Sequence, residues 1–146
     1  MVVARAAAAV RQVIPKSQAE VQGNTALVKV RAKSVPNIEM HGGNAVQGHP
    51  ANIDLPDGYG VMFVIRLEPA PYSGPTLPKD PQLNTRTAKR ERHGLFECFR
   101  TTTRRDFSDA RSVLIVDVLF GQYVDAQVLQ RAYAEAIRVV TAELKK

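Results

Sequence analysis

Between Val128 and Leu144 the apolar side chains Val128, Leu129, Ala132, Tyr133, Ala136, Ile137, Val140 and Leu144 recur at spacings of three and four. This period marks a helix with one apolar stripe. Asp125 stands where an N-cap is wanted, and Lys145 and Lys146 complement the negative end of the helix dipole. Arg131, Glu135 and Arg138 fall on the opposite side at salt-bridging separations. A helix of this kind draws most of its stability from packing its stripe on something else. The rest of the chain must therefore supply a matching apolar surface, and the surface it offers is a sheet.

Three stretches have strand composition. Val61 to Leu67, "VMFVIRL", is apolar on consecutive residues apart from Arg66, as expected of a strand in the middle of a sheet. "LFECFRTTT" (95–103) and "SVLIVDVLF" (112–120) are rich in Val, Ile, Phe and Thr, and the polar linker "RRDFSDAR" between them predicts a hairpin. A fourth stretch, "TALVKVRAK" (25–33), alternates. It sets Ala26, Val28, Val30 and Ala32 against Lys29, Arg31 and Lys33, so its basic face looks outward. Residues 2–13 are alanine-rich and helix-compatible, and Pro15 stops that helix at about the preceding residue.

The remaining segments read as connections. Residues 34–58 have three prolines, four glycines and no sustained period. Residues 69–94 begin with five prolines up to Pro81 and continue into a basic stretch with almost no apolar side chains. No internal repeat is visible. The expected fold is α+β: a mostly antiparallel sheet of about four strands packed against N- and C-terminal helices, in a single domain over 1–146 with two long irregular loops, 34–58 and 69–94.

At 146 residues the chain is long enough to bury a core. Its apolar runs have strand length, far short of the roughly 18 residues that cross a bilayer, so no membrane span is expected. The alanines near the N-terminus imitate a signal peptide, but Arg5 and Arg11 interrupt the apolar stretch. Cys98 is the single cysteine and rules out an intrachain disulfide. That usage favours the cytoplasm, while export as a processed envelope or secreted protein stays open.

Charge is the most local property of the chain. Net charge is +6, and residues 79–105 hold eight basic side chains, Lys79, Arg86, Lys89, Arg90, Arg92, Arg100, Arg104 and Arg105, against Asp80, Glu91 and Glu97. The remainder is nearly neutral, so the basic character belongs to this stretch. These eight residues are the candidate contacts to an anionic partner. The stretch lacks the interleaved aromatics of single-strand binders and any helix-turn-helix, zinc-finger or RNA-recognition signature. A sequence-nonspecific nucleic-acid or polyanion binder therefore remains an alternative to a protein-binding or self-assembling module, itself expected to form homo-oligomers.

Catalytic and cofactor chemistry is thinly supported. No glycine-rich phosphate loop has the Walker spacing, and neither a second cysteine nor a closely spaced histidine pair exists for structural zinc. No cofactor or metal is expected. Cys98 reads as a buried, inert thiol sharing a core face with Phe96, Ser73 lacks a strand-turn-helix context, and Asp117 reads as pointing outward from its strand. A small enzyme built on the loop carrying Glu39, His41 and His49 is the remaining alternative.

Overall fold

The computed structural model describes residues 1–31, 59–71, 82–93, 96–121 and 124–145. In order they form α1 (Val2–Val13), β1 (Gln18–Gln22), β2 (Thr25–Arg31), β3 (Tyr59–Pro69), β4 (Lys89–His93), β5 (Phe96–Phe107), β6 (Ser112–Phe120) and α2 (Ala126–Leu144). All six strands join one antiparallel sheet in the order β1-β2-β3-β6-β5-β4. The topology is two three-stranded meanders joined along their last strands. The α+β class holds, and the expected count of about four strands is corrected to six.

Both additions come from segments that carry little apolar signal. β1 is "QAEVQ", an exposed edge strand in which Ala19 alone is half-buried. It turns into β2 through Gly23 and Asn24, with Gly23 at φ +60°. This is the first central position of a two-residue hairpin turn, where positive φ suits glycine. Asn24 then fastens the turn to the neighbouring strand: its carbonyl accepts from the Leu67 N–H at 3.1 Å and its Nδ2 donates to the Leu67 carbonyl at 2.6 Å. β4 is "KRERH" and falls inside the segment read as a loop, so the expectation of an irregular connection over 69–94 is corrected at Lys89–His93 and at Pro69, where β3 ends. The loop expected over 34–58 lies outside the described residues.

Alternation sorts each strand onto two faces. Ala26, Val28 and Val30 of β2, Val61, Phe63 and Ile65 of β3, Leu114, Val116, Val118 and Phe120 of β6 and Phe99 of β5 form the principal core with the helices. Phe99 and Phe120, opposite each other in register, stack with ring centroids 5.9 Å apart. Helix α1 contributes Val3, Ala6, Ala7 and Val10, and α2 contributes Leu129, Ala132, Tyr133, Ala136, Ile137 and Val140. Small alanines on α1 allow the two helices to pack side by side, and Arg5 reaches Glu143 across them at 3.2 Å. Asp125 caps α2, its Oδ1 accepting from the Gln127 N–H at 2.9 Å.

The other face of the sheet is polar at its edges and apolar at its centre. Val113 and Ile115 of β6 are buried there. Arg66 and Arg104 stand opposite Ile115 on either side, and Glu68 and Asp106 stand opposite Val113. Each arginine pairs with the acid two residues on, Arg66 with Glu68 at 3.5 Å and Arg104 with Asp106 at 2.7 Å. Arginine stems can cover apolar surface, and Arg66 and Arg104 flank this apolar row on either side of β6 among the described residues. Cys98 belongs here too. It is fully buried in a small cluster with Leu119, Tyr59 and Met62 rather than in the principal core, which corrects the face assigned to it from sequence.

Two threonines on β5 make a controlled comparison. Thr103 is fully buried and its Oγ1 lies 3.0 Å from the Tyr133 hydroxyl of α2. Thr101 is buried too, but its Oγ1 has no hydrogen-bond partner among the described residues. Thr103→Val should cost about 1 kcal/mol, whereas Thr101→Val, which removes an unsatisfied hydroxyl at nearly constant shape, should be neutral or stabilise by up to about 1 kcal/mol. Urea unfolding midpoints of the two variants measure the opposite signs.

Candidate interaction surface on the basic sheet edge

The approach to β4 is wound by one asparagine. The Asn84 Oδ1 accepts from the N–H groups of Arg86 and Thr87 at 2.9 and 3.1 Å, the Ala88 N–H reaches the Asn84 carbonyl at 3.1 Å, and the Thr87 hydroxyl donates to the Gln82 carbonyl at 2.7 Å. An asparagine side chain that satisfies the main chain two residues on is a local turn former. Leu83 precedes it and is buried in the principal core, 1% exposed, with its N–H donating to Gln130 Oε1 of α2 at 2.9 Å. A buried leucine and a tied backbone thus hold residues 82–88 against the helix. The segment is anchored, which its reading as part of a long irregular loop over 69–94 did not include.

From that anchor the chain enters β4, which pairs with β5 in an unbroken register: Lys89 with Arg100, Arg90 with Phe99, Glu91 with Cys98, Arg92 with Glu97 and His93 with Phe96. "KRERH" has poor intrinsic strand character, and the pairing supplies what propensity does not. Among the described residues β4 stands at the end of the sheet order.

The eight predicted contact residues divide by environment. Arg100 lies between two carboxylates on the face away from the helices, its Nε 3.3 Å from Glu91 Oε2 and its Nη1 3.5 Å from Asp117 Oδ2. Asp117 also accepts from the Thr102 hydroxyl at 2.8 Å. This chain of contacts crosses β4, β5 and β6 and engages Arg100 internally. Arg104 is held by Asp106. Arg105 is half-buried and stands in register with the core residue Leu114, on the helix side. Arg86, Lys89, Arg90 and Arg92 are exposed. The Arg90 guanidinium rests over the Phe99 ring, 5.6 Å from its centroid, which gives it an apolar seat. Lys79 lies outside the described residues.

The electrostatic consequence follows from that division. Glu91 is the only acid in β4, and it is turned to Arg100 with its side chain 19% exposed. Lys89, Arg90 and Arg92 span about 10 Å along the strand at its usual rise of about 3.3 Å per residue, roughly one Debye length at physiological salt. With Arg86 they form one cluster of exposed cations.

Neither Leu83 nor the Glu91–Arg100–Asp117 chain was identifiable as part of this surface from the sequence. The alternation of Lys89 and Glu91 against Arg90 and Arg92 is a weak strand pattern, and no apolar period supports it.

Arg100→Met should test the stitch between strands. It keeps the stem and leaves Glu91 and Asp117 without their shared cation, so a loss of about 1–3 kcal/mol in urea unfolding is expected, against less than about 0.5 kcal/mol for an ordinary surface change.

Other chemistry is less developed. A hollow of about 490 Å³ opens at the far end of the sheet, lined by Glu20, Gln22, Thr25, Leu27 and Val64. Beside it, Lys29 and Arg31 bracket the Tyr59 ring at 4.9 and 4.3 Å from its centroid. Among the described residues no three His, Cys, Asp or Glu side chains converge as metal ligands, and no helix is long and apolar enough to cross a membrane. Asp117 lies on the face away from the helices and is half-buried by its Thr102 and Arg100 contacts. Ser73, Glu39, His41 and His49 lie outside the described residues. Comparison with protein-family models, with curated proteins and with solved structures finds no match for this chain.

Proposed function

We propose that this protein is a non-enzymatic binding module that holds an anionic partner against the sheet edge formed by Arg86, Lys89, Arg90 and Arg92. The observation that supports the reading is the asymmetry of charge on that edge. Four cations are exposed there, while the single acid of the strand is drawn inward to Arg100. Exposed cations gathered on one strand attract polyanions through Coulomb forces that salt screens. The anchor at Leu83 adds to this by holding the cations in place before a partner arrives, which lowers the ordering cost of binding.

Fluorescence anisotropy with labelled poly-glutamate and a mixed-sequence oligonucleotide tests the reading at about 50 and about 500 mM salt. Binding of at least one polyanion at the lower salt, lost at the higher, is the expected result. Absence of binding to both at low salt would overturn it.

A further inference from the structure

Resting on that reading, we infer that the partner is an acidic polypeptide segment that runs from β4 over the 82–88 turn onto α2, where Arg131 is a further contact. α2 contains two acids, and both are matched to arginines: Glu135 accepts from Arg138 Nε and Nη2 at 3.1 and 2.9 Å, and Glu143 lies 3.2 Å from Arg5. By spacing, Arg131 competes for Glu135 from one turn earlier. Arg138 takes the carboxylate instead, and Arg131 is left exposed with no carboxylate paired to it among the described residues.

The tether at Leu83 joins this cation to the basic segment. The Leu83 N–H donates to Gln130 Oε1 at 2.9 Å, so the turn lies against α2 one residue before Arg131. The helix carries Arg131 about 100° round from Gln130, toward solvent. Arg86 is three residues beyond Leu83, no more than about 10 Å away, and Lys89 opens β4 three residues later. Arg86 and Lys89 are exposed and, like Arg131, have no carboxylate paired to them among the described residues. Strand, turn and helix thus each contribute a cation to one path.

That path climbs from the sheet to the helical layer, a step of about 10 Å at the usual spacing of packed layers. An extended segment of about six to eight residues is long enough to follow it, at about 3.3 Å per residue. A nucleic-acid duplex, with a persistence length of about 150 base pairs, follows such a step poorly. A single strand is normally held by stacking on aromatic rings, and the exposed large apolar side chains among the described residues are Met1 and Val21.

Fluorescence anisotropy with a labelled, capped glutamate octapeptide at about 50 mM salt compares the wild type with Arg131→Gln and Lys16→Gln. Lys16 is exposed next to β1, at the opposite end of the described sheet order, so each variant loses one charge but only one loses a contact. Glutamine keeps the helix propensity of arginine. The expected result is binding about 2- to 5-fold weaker for Arg131→Gln and less than about 1.5-fold weaker for Lys16→Gln. Equal losses in the two variants, or none in Arg131→Gln, would overturn the path over α2 while leaving the cations of β4 standing. Tighter binding of a mixed-sequence oligonucleotide of the same charge to the wild type would overturn the choice of a polypeptide partner. Failure of the wild type to bind either probe would remove this inference and the proposed function together.

Discussion

Replacing Arg86, Lys89, Arg90 and Arg92 together by glutamine is expected to weaken polyanion binding about 30- to 1000-fold at about 50 mM salt, from roughly 0.5–1 kcal/mol for each exposed charge contact. The same change should lower stability by only about 0.5–1 kcal/mol, the scale of an exposed contact such as that of Arg90 with Phe99. All four side chains are exposed, and the strand they decorate is held by its ladder to β5 and by the Glu91–Arg100 pair, none of which the substitution touches. Removing four like charges from one edge also relieves their mutual repulsion. Binding isotherms at two salt concentrations, with urea unfolding of the same samples, separate the effects. The variant should also lose most of the salt dependence of the wild type, since the counterion term goes with the charges.

Leu83→Ala should be the most damaging single change in the basic segment, costing about 2–5 kcal/mol, the range for truncating a buried leucine. Leu83 is 1% exposed in the principal core, and its N–H is fixed to Gln130 of α2. Its loss empties a core position and frees residues 82–88 from the helix, so the approach to β4 loosens with it. A connecting loop without this anchor would lose less than about 0.5 kcal/mol. Urea unfolding decides between these outcomes. Affinity for a polyanion should fall with Leu83→Ala as well, since the four cations would no longer be presented on an ordered edge.

These two expectations rest on features of unequal visibility in the sequence. Both helices are legible because a 3.6-residue apolar period is a strong signal and because Asp125 and Pro15 mark where α2 starts and α1 stops. β2, β3 and β6 are legible from alternation or from unbroken apolar runs. β5 was foreseen only to Thr103 because "RRDF" looks like a linker; in the fold it extends to Phe107, since Arg104 to Phe107 pair with Ile115 to Ser112. β1 is signalled mainly by the Gly23–Asn24 turn ahead of a clear strand, a hairpin cue that points back to a partner. β4 has no comparable cue. It is a strand because β5 offers it an edge, and its side chains say only that it is exposed.

The candidate surface shows the same limit. Composition located the basic stretch, and eight cations within 27 residues are hard to miss. Sorting them required contacts between positions far apart in the chain, Arg100 with Asp117 and Leu83 with Gln130. Whether a given arginine is consumed by an internal carboxylate or left facing solvent is decided by strand register. That register comes from the whole sheet.

The most direct measurement is amide chemical-shift mapping of the ¹⁵N-labelled protein titrated with a glutamate octapeptide, a short form of the poly-glutamate probe. The account predicts that the largest perturbations fall on Arg86 to Arg92, with smaller ones on the paired β5 residues Cys98 to Arg100. Perturbations centred instead on Leu27 and Val64 beside the far hollow, or none at saturating peptide, would contradict it.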